Sequence, residues 1–141
     1  MTAAHTLSDA PARLGLARVG RLATVGSTAP HIVPCCFVVD RTVAYSAIDD
    51  KPKRTPRLQR LADVAAHPYA TLLVDHYEED WSKLWWIRVS GPARVVTSGP
   101  EHAGAVRLLR LKYPQYADHG LTGPVLALEL QEWRTWAATP S

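Results

Sequence analysis

The chain has 141 residues, 47% hydrophobic and 21% charged, and a formal net charge of +3. That length and balance suit one domain over residues 1–141 with a core of its own, and they exclude a disordered chain. No apolar run nears the roughly 18 residues of a membrane span, and the two cysteines are neighbours, Cys35 and Cys36, so no disulfide framework is in view.

A first helix is predicted from about Ser8 to Arg18, capped by Ser8 and stopped by Gly20. Strands follow at Arg21–Gly26, His31–Asp40 and Thr42–Ile48. The turn composition of residues 26–30 joins the first pair, and Asp40-Arg41 joins the second as a tight hairpin. Pro34 removes a ladder donor, which predicts an edge, a bulge or a ligand at that point. The clearest helix spans Thr55–Ala66, with Thr55 as N-cap, Pro56 in the first turn and one stripe of Leu58, Leu61, Ala62 and Ala65. His67-Pro68 ends it. Strands Ala70–His76 and Leu84–Val96 flank an acidic loop, and Ser98-Gly-Pro-Glu101 reads as a capping box opening a helix through Lys112. The last strand runs from Val125 to Glu132, with Trp133 and Trp136 beyond it. Short antiparallel strands with few helices make an α+β protein built around a small barrel of six or so strands.

Lys51, Lys53, Arg54, Arg57 and Arg60 place five of the sixteen basic residues within ten positions. A helix start offers free N–H groups and a positive dipole end, so this segment reads either as a compact anion site or as a solvated basic face. Cys35-Cys36 lacks the spacing of a redox motif and reads as two small buried thiols. The six histidines show no metal-ligand spacing, and no nucleophile elbow, P-loop or dinucleotide fingerprint is present. Trp81, Trp85 and Trp86 fit a core or a subunit interface as well as a flat ligand. Nucleic-acid binding is disfavoured, because the basic residues are local and no recognition motif accompanies them.

Taken in order, Arg21-Leu-Ala-Thr-Val-Gly26, the His31–Phe37 and Val43–Ser46 strands, the basic turn and helix, and His67–Val74 resemble the split β-barrel flavin and deazaflavin proteins related to pyridoxamine 5′-phosphate oxidase. Asp75-His-Tyr-Glu-Glu-Asp-Trp81 followed by Leu84-Trp-Trp-Ile-Arg-Val-Ser-Gly91 is similar to an actinobacterial subfamily classed as coenzyme F420-dependent. The resemblance implies a homodimer with two cofactor sites at the subunit interface. It implies a cofactor phosphate at Lys51, Lys53, Arg54 and Arg57, and a tricyclic ring against Val33, Pro34, Cys35, Ser46 and Ala47. The basic run is longer than the family's usual phosphate segment, and Arg60 occupies the nearest equivalent of its lysine.

The leading expectation is therefore a cytoplasmic oxidoreductase that passes hydride between reduced F420 and a small organic substrate, the cofactor carrying the hard chemistry. An FMN-dependent enzyme of the same fold, and a non-catalytic cofactor-binding, storage or haem-related protein, are the alternatives. No catalytic residue or metal is assigned; Tyr45, Tyr77 and His76 are the proton donors to place.

Overall fold

The computed structural model describes residues 7–48, 55–118 and 120–139. In chain order the elements are α1 (Ala10–Leu16), β1 (Gly20–Val25), β2 (Pro30–Cys35), β3 (Val38–Asp40), β4 (Val43–Ala47), α2 (Thr55–Ala66), β5 (Tyr69–His76), β6 (Trp85–Val96), α3 (Gly99–Lys112), β7 (Val125–Glu129) and β8 (Glu132–Ala137). Seven strands follow the order β2-β1-β5-β6-β7-β4-β3, and β8 pairs with β6 beside them. Every pairing is antiparallel. This is the α+β split barrel expected from the sequence, with eight strands where six or so were predicted.

The two extra strands come from breaks that local sequence does not mark. The predicted strand His31–Asp40 divides at Cys36-Phe37, where the chain passes from β2 into β3. At that point the Phe37 N–H donates to the Tyr113 hydroxyl at 3.0 Å, and the Phe37 carbonyl accepts from the same hydroxyl at 2.9 Å and from Lys112 Nζ at 2.8 Å. Groups at the end of α3 thus take the place of ladder partners. The predicted strand Val125–Glu132 divides at Leu130-Gln131, and its second part continues through both C-terminal tryptophans as β8. The capping box at Ser98 does not form: its side chain makes no cap hydrogen bond, and Glu101 turns instead to Arg94 and Tyr45. The first helix is also shorter than predicted, at seven residues. The hairpin at Asp40-Arg41 is present, with Asp40 opposite Val43 and Arg41 in the left-handed region at φ 57°.

β6 is the strand that both halves of the sheet share. Residues 85–92 pair with β5 along one side, while on the other side residues 85–90 pair with β8 and residues 93–96 with β7. The change of neighbour occurs at Gly91. A Cβ there would lie 1.9 Å from the Glu129 carbonyl oxygen, so only glycine lets the two backbones come this close. Strand alternation then sends Leu22, Leu72, Val74, Ile87, Val89, Leu126 and Leu128 inward, to a core closed by Leu14 of α1 and Val64 of α2. A second cluster gathers Val38, Tyr45, Val96 and Val125 beneath Ala105, Leu109 and Tyr113 of α3 and its C-terminal end.

Gly91→Ala is expected to lower unfolding free energy by about 3 kcal/mol, because the backbone it meets cannot swing aside. Gly104→Ala, in the middle of α3 with open space around the new methyl group, is expected to raise it by about 0.5–1 kcal/mol. Urea denaturation of the two variants tests the opposite signs.

Candidate functional site

Helix α2, whose first turn carries Arg57, is joined to the sheet by a buried carboxylate. Asp63 Oδ2 accepts from Thr24 Oγ1 of β1 at 2.7 Å and from His31 Nδ1 of β2 at 2.6 Å, and Oδ1 accepts from Gln59 Nε2 at 2.9 Å. An ionised carboxylate only accepts hydrogen bonds, so all three partners donate. Burial pushes the Asp63 pKa up, but the hydrogen bonds from His31, Thr24 and Gln59 outweigh it and hold the group below its ordinary value. Near the other end of β2, the charge of Arg60 acts on the Cys35 thiol. With Asp63 beside His31 and Arg60 near Cys35, the N-terminal end of α2 heads toward the Cys35 end of β2.

The residues expected to meet a cofactor divide into groups. Lys51, Lys53 and Arg54 lie outside the described residues, and Arg57 is described only by its backbone in the first turn of α2. Cys35 and Ser46 come together: they share a hydrogen bond, and Ser46 Oγ also donates to the Cys36 carbonyl at 3.0 Å. Burial raises the Cys35 pKa, and the Ser46 hydrogen bond and the Arg60 charge offset only part of that rise. Both side chains line an interior crevice with Phe37, Tyr45 and Leu72, and at about 10 Å³ it has room for no more than a water. Val33 also packs against the first core, whereas Ala47 packs against the second. Pro34 alone of the five is exposed, on the outer face of β2. Cys35 and Cys36 are free thiols facing different cores, as a structural pair would be.

The three proton-donor candidates also separate. Tyr45 is buried and donates to Glu101 Oε2 at 2.7 Å; burial first, then that hydrogen bond, pushes its pKa up to about 12. Glu101 is in turn held ionised by Arg94, whose guanidinium bridges it at 2.7 and 2.8 Å and reaches Glu129 at 3.0 Å. Tyr77 is exposed, and His76 pairs with Glu78 while stacking on Trp85 at 6.1 Å. Both border a hollow of about 390 Å³ on the outer side of the sheet, floored by Trp86 and Trp136. Sequence reasoning passed over Asp63, Thr24 and His31, which are far apart in the chain. It also passed over Lys112, half-buried 4.2 Å from the Phe37 ring centroid, whose pKa is lowered to about 8 by burial and the Arg18 charge. Among the described residues no cluster of His, Cys, Asp or Glu could hold a metal ion, and no helix is long and apolar enough to cross a membrane.

The family model for pyridoxamine 5′-phosphate oxidase matches residues 10–137, from the first helix through the last strand. The chain belongs to the pyridoxamine 5′-phosphate oxidase family. Solved structures of similar fold include a conserved hypothetical protein of Mycobacterium tuberculosis, 16% identical with a TM-score of 0.77 over 98% of this chain and 89% of that one. A FAD-binding protein of Mesorhizobium loti is 17% identical, with a TM-score of 0.67 over 92% of this chain and 94% of that one. A haem-binding protein of Mycobacterium smegmatis is 16% identical, with a TM-score of 0.69 over 98% of this chain and 59% of that one. No curated protein matches the sequence. At such identities the likeness to these structures is one of fold.

Asp63 is expected to leave a signature in stability against pH. Its folded-state pKa lies below the unfolded value of about 3.9, so its contribution is fully present above that value and is lost as pH falls through the folded one. Asp63→Asn should flatten this acid limb, and Asp63→Ala should cost about 3 kcal/mol at pH 7 by leaving the buried Thr24 hydroxyl without its acceptor. Urea midpoints measured from pH 3 to pH 7 decide both.

Proposed function

We propose that the chain is a cofactor-binding oxidoreductase whose cofactor is the deazaflavin F420, its phosphate held by the basic segment Lys51–Arg57. The observation that carries this reading is the seam itself. A buried, three-fold hydrogen-bonded Asp63 clamps α2 so that a helix N-terminus flanked by four basic side chains heads toward the Cys35 end of β2. Helix N-termini and clustered Lys and Arg bind phosphate through donated N–H groups and positive charge.

β2 ends the strand order, paired with β1 alone among the described residues, so its outer backbone edge is open to a ligand. Pro34 lies on that strand, where a missing N–H costs no ladder bond. Because the crevice beside Cys35 and Ser46 has no room for a ring, a tricyclic ring would be held outside it, by Pro34 and the edge of β2. Val33 and Cys35, with Ser46 beside Cys35, then support that wall from within, while Ala47 stays with the second core. A bound, reduced cofactor would supply the hydride chemistry for an unsaturated organic substrate, with the matching proton drawn from solvent. Tyr45 takes no part in proton transfer, since its hydroxyl is committed to Glu101.

Five basic groups exceed what one phosphate needs, which favours a cofactor with a further anionic tail over FMN. The FAD-binding relative favours a flavin-type ring in either case. The site lies at the interface of a homodimer in this reading. Ile32 on β2, 63% exposed, and Val25 on β1, 44% exposed, sit on the outer face with Pro34 and offer a second copy an apolar patch.

Titration of the apo protein with F420 and separately with FMN, followed by tryptophan quenching, tests the cofactor. Micromolar F420 binding is expected, tighter than FMN, and about tenfold weaker in Lys53→Ala and in Arg57→Ala; each charge-assisted phosphate contact is worth about 1.5–3 kcal/mol. Binding of neither cofactor would overturn the proposal. Sedimentation velocity should show a dimer that Ile32→Glu converts to a monomer.

A further inference from the structure

We infer that the hollow on the outer face of β5, β6 and β8 binds a planar aromatic anion, an aryl carboxylate in the simplest case. The inference deepens the oxidoreductase reading by naming a substrate class, and it rests on that reading for its chemistry but not for its binding.

The site follows from strand register. On the outer face Trp86 of β6 lies opposite Trp136 of β8, and one step along Arg88 lies opposite Arg134. Two like charges directly opposite on neighbouring strands are unfavourable unless an anion lies between them. Neither arginine meets a carboxylate among the described residues. The Arg88 guanidinium rests 5.3 Å from the Trp86 ring centroid, and Arg134 Nη1 donates to the carbonyl of Trp133 at 2.9 Å. The acidic groups nearby have partners other than this pair: Asp75, which lines the hollow opposite Trp86, is paired with Arg21 at 3.4 Å, Glu132 bonds the Tyr69 hydroxyl at 2.8 Å, and Glu78 pairs with His76. An anion from outside the chain is what this pair lacks.

The aromatic part follows from the floor. Trp86, Trp136 and Tyr77 line a hollow of about 390 Å³, the size class that takes a ligand of two or three rings. Indole faces stack on flat rings, and the Trp86 and Trp136 N–H groups find no acceptor among the described residues, which leaves them free to donate to a ligand oxygen. The row that contains Arg88 continues through Leu73 and Arg21 to Pro34, so the hollow shares the outer face with the strand proposed to carry the cofactor ring.

The test is a fluorescence titration of the 141-residue chain with 1-naphthoate and, as its neutral counterpart, 1-naphthalenemethanol. Saturable naphthoate binding at least tenfold tighter than that of the alcohol is expected. Arg88→Gln and Arg134→Gln should each weaken it at least fivefold, Trp136→Leu more, and Trp136→Phe least. F420 or FMN is titrated onto the same samples, and variants count when their thermal melts match the parent. Naphthoate that does not saturate, binds no better than the alcohol, or binds the variants as it binds the parent overturns the inference. Loss of cofactor binding with naphthoate binding intact would overturn the cofactor reading alone; the reverse would overturn this one alone.

Discussion

The fold depends on the close approach of two backbones, β6 at Gly91 and the carbonyl of Glu129. A single strand of twelve residues cannot hold β8 and β7 on one edge unless its partner turns a corner there. Leu130 and Gln131 make that corner, with their N–H groups donating to Thr42 at 2.8 Å and to Ser90 at 3.2 Å. Any side chain at residue 91 would push the corner away and separate the two halves of the sheet. Because β6 continues through the switch, the first core and the cluster under α3 are built on one piece of backbone. The outer face of β5, β6 and β8 is a second consequence. The strands that pack their inner residues into the core present their other residues, Trp86 and Arg88 among them, in fixed rows on the opposite side.

Asp63 plays the corresponding part for the contact between α2 and the sheet. Helix propensity and an apolar stripe are enough to form α2, but they leave its rotation and its slide along the sheet loosely set. A carboxylate with three donors from β1, β2 and its own helix removes that freedom, since any shift leaves a buried polar group unpaired. The first turn of the helix owes its placement against the sheet to this contact and not to its own sequence. Buried ionic groups often cost stability compared with apolar packing, and here the return is a defined helix position beside β1 and β2.

Most elements were legible because their signals are local. Thr55-Pro56 at the start and His67-Pro68 at the end bracket α2, and alternation in Trp85–Ser90 marks half of β6. Where the reading missed, a distant group had replaced a local one. The break at Cys36-Phe37 is satisfied by Tyr113 and Lys112, more than seventy positions along. The capping box at Ser98 fails because Glu101 finds a bidentate partner in Arg94, and a charge-assisted pair outcompetes a cap to a backbone N–H.

The order of residues by itself determined the α+β class, the existence of nearly every helix and strand, the clustering of basic charge at one helix start, and the absence of a nucleophile or dinucleotide motif. All of these are properties of spacing and composition within about twenty residues. Tertiary structure alone decided which strand edges stay open, that Cys35 and Ser46 face a crevice too small for a ring, and that Tyr45 is committed to Glu101. It alone set Arg88 opposite Arg134 beside two tryptophans. The physical reason is one of range: propensity and periodicity act along the chain, whereas register, burial and hydrogen-bond competition are settled between segments that meet only once the sheet has closed on its shared strand.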